Sequence, residues 1–209
     1  MASRMPPTST ARLRLLEAMI AELWERSYGS VSVDSICERA DVRKGSFYHF
    51  FKSKTALAVA AIDYLWETHS RPHLDDVFSS SHPPLRRFER LIESCYQKSV
   101  DCLKEKGKVL GCPYINIGAE TACAEPEIAA KLGEILTRYQ GYIEATLHEA
   151  NARGDTVIED PSGVAGCIFS MIEGSCIQSR IHNDPDRVRH LADSFSRMIG
   201  AELHPNLPR

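Results

Sequence analysis

Apolar residues recur at helical spacing along nearly the whole chain. In the first segment, Leu16, Ile20 and Leu23 fall at positions i, i+4 and i+7, which predicts an amphipathic helix over Ala11–Tyr28. Later segments repeat this period, and no stretch alternates apolar and polar residues long enough to predict a strand. The pattern therefore predicts an all-α protein of about nine helices.

Capping residues and prolines predict where these helices begin and end. Ser32 and Ser53 are expected N-caps of two helices near the N-terminus. The helix after Ser53 is expected to end before Pro72, with a loop over Leu74–Pro84. Later helices are predicted to begin at Glu125-Pro126, Asp160-Pro161 and Asp184-Pro185, each with proline at the first helical position.

Two short predicted helices, Ser32–Ala40 and Lys44–Phe51, have the proportions of a helix-turn-helix. The turn contains Asp41, which tolerates the left-handed conformation better than most residues. Phe47 and Phe51 lie at i and i+4 and are expected to face inward. Polar side chains then project outward near the N-terminus of the second helix, where a recognition helix meets base edges. These outward residues are Lys44, Ser46 and His49, and Gly45 between them allows close backbone approach to DNA.

Charge is distributed unevenly along the chain. The 209 residues contain 25 Lys+Arg and 28 Asp+Glu, a formal net charge of −3. Residues 1–54 nevertheless hold nine Lys/Arg against six acids, and Val42–Ile62 contains four Lys/Arg and no acid. A local basic patch on an otherwise acidic protein indicates contact with phosphate groups.

Other features narrow the class of protein. No apolar run is long enough to span a membrane, and Met1–Thr10 lacks the apolar core of a secretory signal. The seven Cys lack the paired spacing of a disulfide framework or zinc ribbon, so a reducing cytoplasmic location is expected. His69, His73 and His148 have no metal-ligand spacing around them, and we predict no metal, no cofactor and no catalytic constellation.

The span Leu15–Leu57 resembles the DNA-binding domain of the TetR family of bacterial transcriptional regulators. The segment from Val31 to Leu57, VSVDSICERADVRKGSFYHFFKSKTAL, follows the family pattern almost position by position. Three departures stand out, because the family usually has glycine where Ser27 and Asp41 lie, and a serine cap where Arg43 lies. The lost cap is expected to cost about 1 kcal/mol of helix-end stability.

The resemblance implies a helix-turn-helix DNA-binding domain over residues 1–54 and an effector-binding and dimerisation domain over residues 55–209. Tyr48 and Lys54 are implied phosphate contacts, with Ser32 assisting and Arg43 adding a further contact. Lys44, Ser46 and His49 are implied to face the major groove. The expected DNA-binding residues are Ser32, Arg43, Lys44, Gly45, Ser46, Tyr48, His49 and Lys54.

The resemblance also implies a homodimer formed through the last two long helices, about residues 160–200, and a small-molecule effector bound by the same domain. Gly111-Cys112 resembles a TetR subgroup that includes the N-ethylmaleimide-reductase repressor, which senses electrophiles through this cysteine, and efflux repressors. The effector is therefore expected to be an electrophile or a lipophilic drug-like compound. Cys95 and Cys102 are predicted to lie in the core. The candidate effector-binding residues are Cys112, Tyr114, Phe169, Met171 and Cys176.

The favoured hypothesis is a homodimeric repressor, not an enzyme, that leaves a pseudo-palindromic operator when the effector binds. One alternative is an all-α thiol-dependent enzyme with Cys112 as its nucleophile, but the sequence shows no suitably placed base. Another is an architectural protein with many weak DNA sites. Gel-shift assays with the upstream DNA separate these hypotheses.

Overall fold

The structure, a computed structural model, describes residues 7–208, so Met1 to Pro6 of the Pro/Ser/Thr-rich N-terminus and Arg209 lie outside it. Within that range all regular elements are helical, which confirms the predicted all-α class. The α-helices are α1 (Pro7–Glu25), α2 (Val33–Ala40), α3 (Lys44–Phe50), α4 (Lys54–Leu65), α5 (Arg71–Val77), α6 (Pro84–Lys106), α7 (Pro113–Thr121), α8 (Pro126–Arg153), α9 (Pro161–His182) and α10 (Leu191–Ile199). Among the described residues, none of these helices combines the length and apolar character needed to cross a membrane.

The chain divides into two compact units. The described residues up to Ser70, together with Pro113–Ile135, form the first unit. In it, α1 packs against α2, α3, α4 and α7. Leu15, Ile36, Phe47 and Leu57 are fully buried and come one each from α1 to α4. These four helices therefore share one apolar core, which fixes the helix-turn-helix.

The second unit contains Arg71–Cys112 and the described part of Leu136–Arg209. Arg87, only 4% exposed, is neutralised inside it by Glu149, whose two oxygens accept hydrogen bonds at 2.6 and 3.2 Å. The core of the second unit contains one fully buried side chain each from α6, α8, α9 and α10, namely Phe88, Ile143, Ile168 and Phe195.

Three helix caps form where the sequence predicts them. Ser35 donates its backbone N–H to Ser32 Oγ at 3.0 Å, and Ala56 donates to Ser53 Oγ at 3.0 Å. Gly163 donates to Asp160 Oδ1 at 2.9 Å, which begins α9 as predicted. Each side chain satisfies a backbone donor that the first helical turn leaves without a partner.

Helical structure continues past Pro72, so the predicted loop over Leu74–Pro84 is wrong in its first part. A π-helical turn over Trp66–Ser70 leads directly into α5, where Pro72 is the second residue. The π-helical turn interrupts the regular α-helical hydrogen bonds directly before Pro72, which has no backbone N–H to donate. Leu74 and Val77 are buried, and their burial favours the helix.

The C-terminal helix begins later than predicted. Asp184 accepts a hydrogen bond from the Asp186 N–H at 3.0 Å, but this cap begins only a 3₁₀ turn over Pro185–Val188. The α-helix itself starts at Leu191. Helix α7, which was not predicted, has proline at its first position and buried Tyr114, Ile117 and Thr121, a pattern too short to recognise by periodicity.

Candidate nucleic-acid interface

Helix α3 directs its aromatic core residues inward and its polar residues outward. Phe47 is 0% exposed and Phe51, at the end of the helix, is 6% exposed, which confirms their predicted core position. Tyr48 is 54% exposed, although its ring packs edge-on against Phe47 with centroids 5.1 Å apart. Among the residues predicted to face DNA, Lys44, Gly45 and His49 are exposed and Ser46 is partly exposed.

The turn between α2 and α3 adopts the predicted geometry. Asp41 is left-handed, with φ 50° and ψ 51°, and its backbone N–H bonds to the Cys37 and Glu38 carbonyls at the end of α2. Arg43 occupies the N-cap of α3 in an extended conformation without a side-chain capping bond. Its exposed guanidinium is therefore available to a ligand at the start of α3. A Cβ added at Gly45 would meet nothing within 4 Å, so the helix surface is open there.

Lys44 forms an ion pair that sequence reasoning missed. Its ammonium lies 2.7 Å from Asp34 Oδ1 on α2, and both side chains are exposed. The hydrogen bond that Lys44 donates to Asp34, together with the negative charge of Asp34, raises the pKa of Lys44. The pair joins the two helices of the motif at the surface, and solvent screening keeps its own contribution to stability small.

The ammonium of Lys54 contacts the protein itself, whereas the resemblance implies a contact with a DNA phosphate. Its ammonium donates to the Tyr28 carbonyl at 3.0 Å and to the Val31 carbonyl at 2.9 Å, and it sits 3.9 Å from the centre of the Tyr28 ring. These contacts tie the start of α4 to the turn that precedes α2. A phosphate contact by Lys54 remains a prediction, and it requires the phosphate to share an ammonium that already has two carbonyl partners.

Glu120 on α7 also holds the turn that precedes α2. The sequence did not predict this contact. Its carboxylate accepts hydrogen bonds from the backbone N–H groups of Tyr28 at 2.7 Å and Gly29 at 2.8 Å, and from the Ser27 hydroxyl. Partial burial opposes ionisation, but these three hydrogen bonds outweigh it and lower the pKa of Glu120. We call this arrangement of Glu120 with residues 27–29 the Glu120 clamp. It holds α7 against the segment that leads into the helix-turn-helix.

The five residues predicted to line an effector pocket divide between the two units. Tyr114 belongs to the first unit, where it is buried, shares a 2.7 Å hydrogen bond with the Ser70 hydroxyl and packs edge-on to Trp66. Cys112, Phe169, Met171 and Cys176 belong to the second unit.

Within the second unit, one thiol contacts a buried carboxyl, and two further thiols contact each other. Cys112 donates its S–H to the carboxyl of Glu173, and Cys176 donates to the sulfur of Cys95. The hydrogen bond from Cys176 lowers the pKa of Cys95 and raises that of Cys176. Cys95, predicted to be core, instead keeps partial exposure, as do Cys102, Cys112 and Cys176. We call Cys95, Cys112, Glu173 and Cys176 the thiol–carboxyl cluster.

Glu173 was not predicted and is the most unusual member of this cluster. Its side chain is buried, 6% exposed, and burial raises its pKa to about 7, although the hydrogen bond from Cys112 acts in the opposite direction. Its Oε2 atom is buried and has no hydrogen-bond partner. Over residues 7–208, no group of three or more His, Cys, Asp or Glu is arranged to hold a metal ion.

Comparison with known proteins agrees with this architecture. Residues 15–61 match "Bacterial regulatory proteins, tetR family", and residues 89–194 match "Transcriptional regulator LmrA/YxaF-like, C-terminal domain". The transcriptional regulator AcuR of Cereibacter sphaeroides is 30% identical over 92% of this chain and 86% of its own. The repressor NemR of Escherichia coli K12 is 22% identical over 75% of this chain and 77% of its own. A crystal structure of a regulatory protein TetR from Rhodobacter sphaeroides superposes with a TM-score of 0.78, at 28% identity over 90% of this chain and 98% of that one.

The helix-turn-helix and its exposed polar helix define a DNA-binding transcriptional regulator. The two matches cover the helix-turn-helix and most of the second half of the chain. The chain belongs to the TetR family.

Proposed function

We propose that the protein is a homodimeric repressor that leaves a pseudo-palindromic operator when a small effector binds. The observation that carries this proposal is the outward polar face of α3, where Tyr48 is 54% exposed beside the buried Phe47. Ser46 and His49 on this face can reach base edges, while Tyr48 and Arg43 can reach phosphates. Relatives such as NemR carry the name of repressor, which favours repression over activation.

The outer face of α9 supports dimerisation. Cys167, Ser170, Gly174, Gln178 and Ile181 are all exposed and recur at helical spacing, so they form one stripe along the helix. Most of these residues are small, which permits close approach of a second helix, and Ile181 ends the stripe as a 68% exposed apolar side chain. We propose that two copies pack through this stripe and α10 about a two-fold axis.

The Glu120 clamp suggests how an effector could release DNA. Helix α7 begins at Pro113, directly after Cys112 of the thiol–carboxyl cluster, and its Glu120 holds residues 27–29. An effector that binds better when α7 is displaced would move this segment and change the spacing of the two recognition helices. The required half-site spacing is about 34–36 Å or a multiple of it, and only differential affinity for the two states shifts the population.

The sequence leaves two classes of effector open. One is an electrophile that reacts with Cys112, and the other is a lipophilic compound that binds without reaction. The hydrogen bond from Cys112 to Glu173 requires the protonated thiol, whereas the thiolate is the nucleophile. This favours non-covalent binding in the resting protein. The thiol-enzyme alternative requires a base that activates Cys112, whereas the contact with Glu173 keeps the thiol protonated.

A DNA-binding titration tests the proposed function. Fluorescence anisotropy with the DNA upstream of the gene should show a saturable complex, which Tyr48→Ala weakens by roughly tenfold or more through loss of a phosphate hydrogen bond. Tyr48→Phe keeps the ring against Phe47 and removes only the hydroxyl, so it separates the phosphate contact from packing. Val157→Ser, at a 93% exposed position between α8 and α9, is the control and should bind normally. Equal binding by all four proteins would contradict the assignment.

A further inference from the structure

The basic segment Val42–Ile62 contains no acid of its own, but the fold places an acid from α2 beside its first lysine. Asp34 lies on the exposed side of α2, and its Oδ1 atom is 2.7 Å from the ammonium of Lys44. Lys44 is the first residue of α3, and a recognition helix meets base edges near its N-terminus. A carboxylate therefore lies where the surface of the DNA is expected.

The start of α2 is capped without the help of Asp34. Ser32 Oγ accepts the backbone N–H of Ser35 at 3.0 Å, and Ser35 Oγ accepts the backbone N–H of Ser32 at 3.1 Å, so the two serines form a capping box. The Asp34 side chain is 71% exposed and that of Lys44 is 53% exposed, so water screens the ion pair and its contribution to folding stability is small. Beyond the general preference of a helix start for an acid, the fold does not require a carboxylate at this position.

The ion pair changes what the Lys44 ammonium can bind. An ammonium has three N–H donors, and Asp34 accepts one of them, so donors remain for a ligand. A phosphate that approaches this ammonium also approaches the carboxylate, and the two negative charges repel each other. The O6 and N7 acceptors of guanine are uncharged and meet no such repulsion. The pair therefore favours a base edge over the sugar–phosphate backbone as the further partner of Lys44.

We propose that Asp34 is a specificity-determining residue of the DNA interface, which holds the Lys44 ammonium for base edges and reduces its contact with phosphates. Asp34 acts through Lys44 and positions it, without binding DNA itself. The consequence is weaker binding to unrelated DNA, which competes with the operator for the protein. This inference rests on the proposed function, because it concerns how the same α3 surface discriminates between duplexes.

Binding to two duplexes over a series of salt concentrations tests this role. One is the duplex that the full-length protein selects from a random pool, and the other is a shuffled duplex of the same length and base composition. Asp34→Asn should bind the shuffled duplex at least about fivefold more tightly at about 0.1 M salt, with a salt slope steeper by about 0.9 for each bound protomer, because Lys44 gains a phosphate contact. Affinity for the selected duplex should change by less than about twofold, because its contact with Lys44 is already made to a base edge.

Three further variants separate a local effect from a general effect of charge. Glu38→Gln removes an exposed acid one helical turn later on α2 and changes the net charge equally, but it should leave the affinity and salt slope for the shuffled duplex unchanged. Asp34→Glu keeps the carboxylate and should keep the wild-type discrimination. In a Lys44→Met background, Asp34→Asn should have no further effect, which a double-mutant cycle measures. Thermal unfolding of every variant confirms that the fold is retained.

The outcomes separate this inference from the proposed function. Equal effects of Asp34→Asn and Glu38→Gln would overturn the inference, because charge alone would then explain them. So would an unchanged salt slope on the shuffled duplex, or an effect of Asp34→Asn that persists in the Lys44→Met background. In each of these cases, a wild-type protein that still selects an inverted repeat leaves the proposed function intact. A wild-type protein that selects no duplex contradicts the proposed function and this inference together.

Discussion

At the scale of single residues, the pKa values of two groups in the second unit are shifted with opposite effects on stability. Burial raises the pKa of Glu173 to about 7, so the folded state retains a proton that the unfolded chain has lost above about 4.5. Stability therefore falls as the pH rises across that window. Burial lowers the pKa of His73 to about 4, and its Nε2 atom shares a 2.6 Å hydrogen bond with the Ser94 hydroxyl. Its contribution is lost as the pH falls from about 6.5 toward 4.

Replacing Glu173 should therefore stabilise the protein at alkaline pH. A pKa rise of this size corresponds to about 3 kcal/mol of penalty on the ionised form, and Glu173→Gln removes it at the cost of a buried amide. We expect the free energy of unfolding of the variant, relative to wild type, to grow between pH 5 and 7 and then to level off. Urea denaturation across this range measures it, with Asp193→Asn as the control. A difference that does not vary with pH would show that Glu173 is not the titrating group.

The sequence predicts residue positions well where local geometry decides them. The backbone of Asp41 is left-handed because the tight turn between α2 and α3 requires it. Phe47 is buried because its i, i+4 spacing from Phe51 places both rings on the inner face of α3. Lys54 differs because its partners, the Tyr28 and Val31 carbonyls, come from an earlier segment that folds against it. Glu173 was missed for a similar reason, since the lack of a donor for its Oε2 atom is evident only once the helices around it are placed.

At the scale of helices, the Glu120 clamp connects α7 to the segment that leads into the helix-turn-helix. Its three hydrogen bonds stabilise the folded state while the carboxylate is ionised. Because they lower the pKa of Glu120, this contribution is present above its ordinary value and is lost as the pH falls through the lowered value. Protonation of Glu120 in acid therefore weakens the hydrogen bonds that hold the segment before α2.

Breaking the clamp should weaken DNA binding more than it weakens the fold. Glu120→Gln replaces the charged acceptor with a neutral one, and we expect a loss of about 1 kcal/mol in unfolding free energy. Operator affinity should fall further, since α2 and α3 lose part of their fixed orientation. Glu127→Gln, an exposed acid in the first turn of α8, is the matched control. If both variants bind DNA like wild type, the clamp has no positioning role.

The sequence predicts a helix boundary correctly where a capping residue sets it. It does not predict a boundary that depends on packing between helices. Ser32, Ser53 and Asp160 cap their helices as expected because the cap is a local hydrogen bond. Burial of Leu74 and Val77 instead continues the helical structure past Pro72. Asp184 is followed by proline, as Asp160 is, but it begins only a 3₁₀ turn over Pro185–Val188.

At the scale of the whole molecule, the proposed function requires two copies. A monomer presents one recognition helix, whereas a two-fold dimer presents two helices to related half-sites. The exposed stripe on α9 is the proposed contact, and Gly174 lies at its centre with open space around it. A larger side chain there fits the isolated protomer but not a close helix pair.

Gly174→Leu should therefore dissociate the dimer without unfolding the protomer. Leucine favours the helix more than glycine does by roughly 1 kcal/mol, so thermal stability of the protomer should not fall. Gly141→Leu is the matched control, because Gly141 is also mid-helix, exposed and unobstructed, but lies on α8. Sedimentation velocity should show monomers for the first variant and dimers for the second. A dimer that tolerates Gly174→Leu would place the interface elsewhere.

Selection of bound duplexes from a random pool tests whether paired α3 helices recognise a two-fold DNA site. We expect enrichment of an inverted repeat whose half-site centres lie about one helical turn, or a multiple, apart. Selection with Ser46→Ala and His49→Ala should relax the preference within each half-site. Failure to enrich any sequence at low salt, or enrichment of a site without two-fold symmetry, would contradict it.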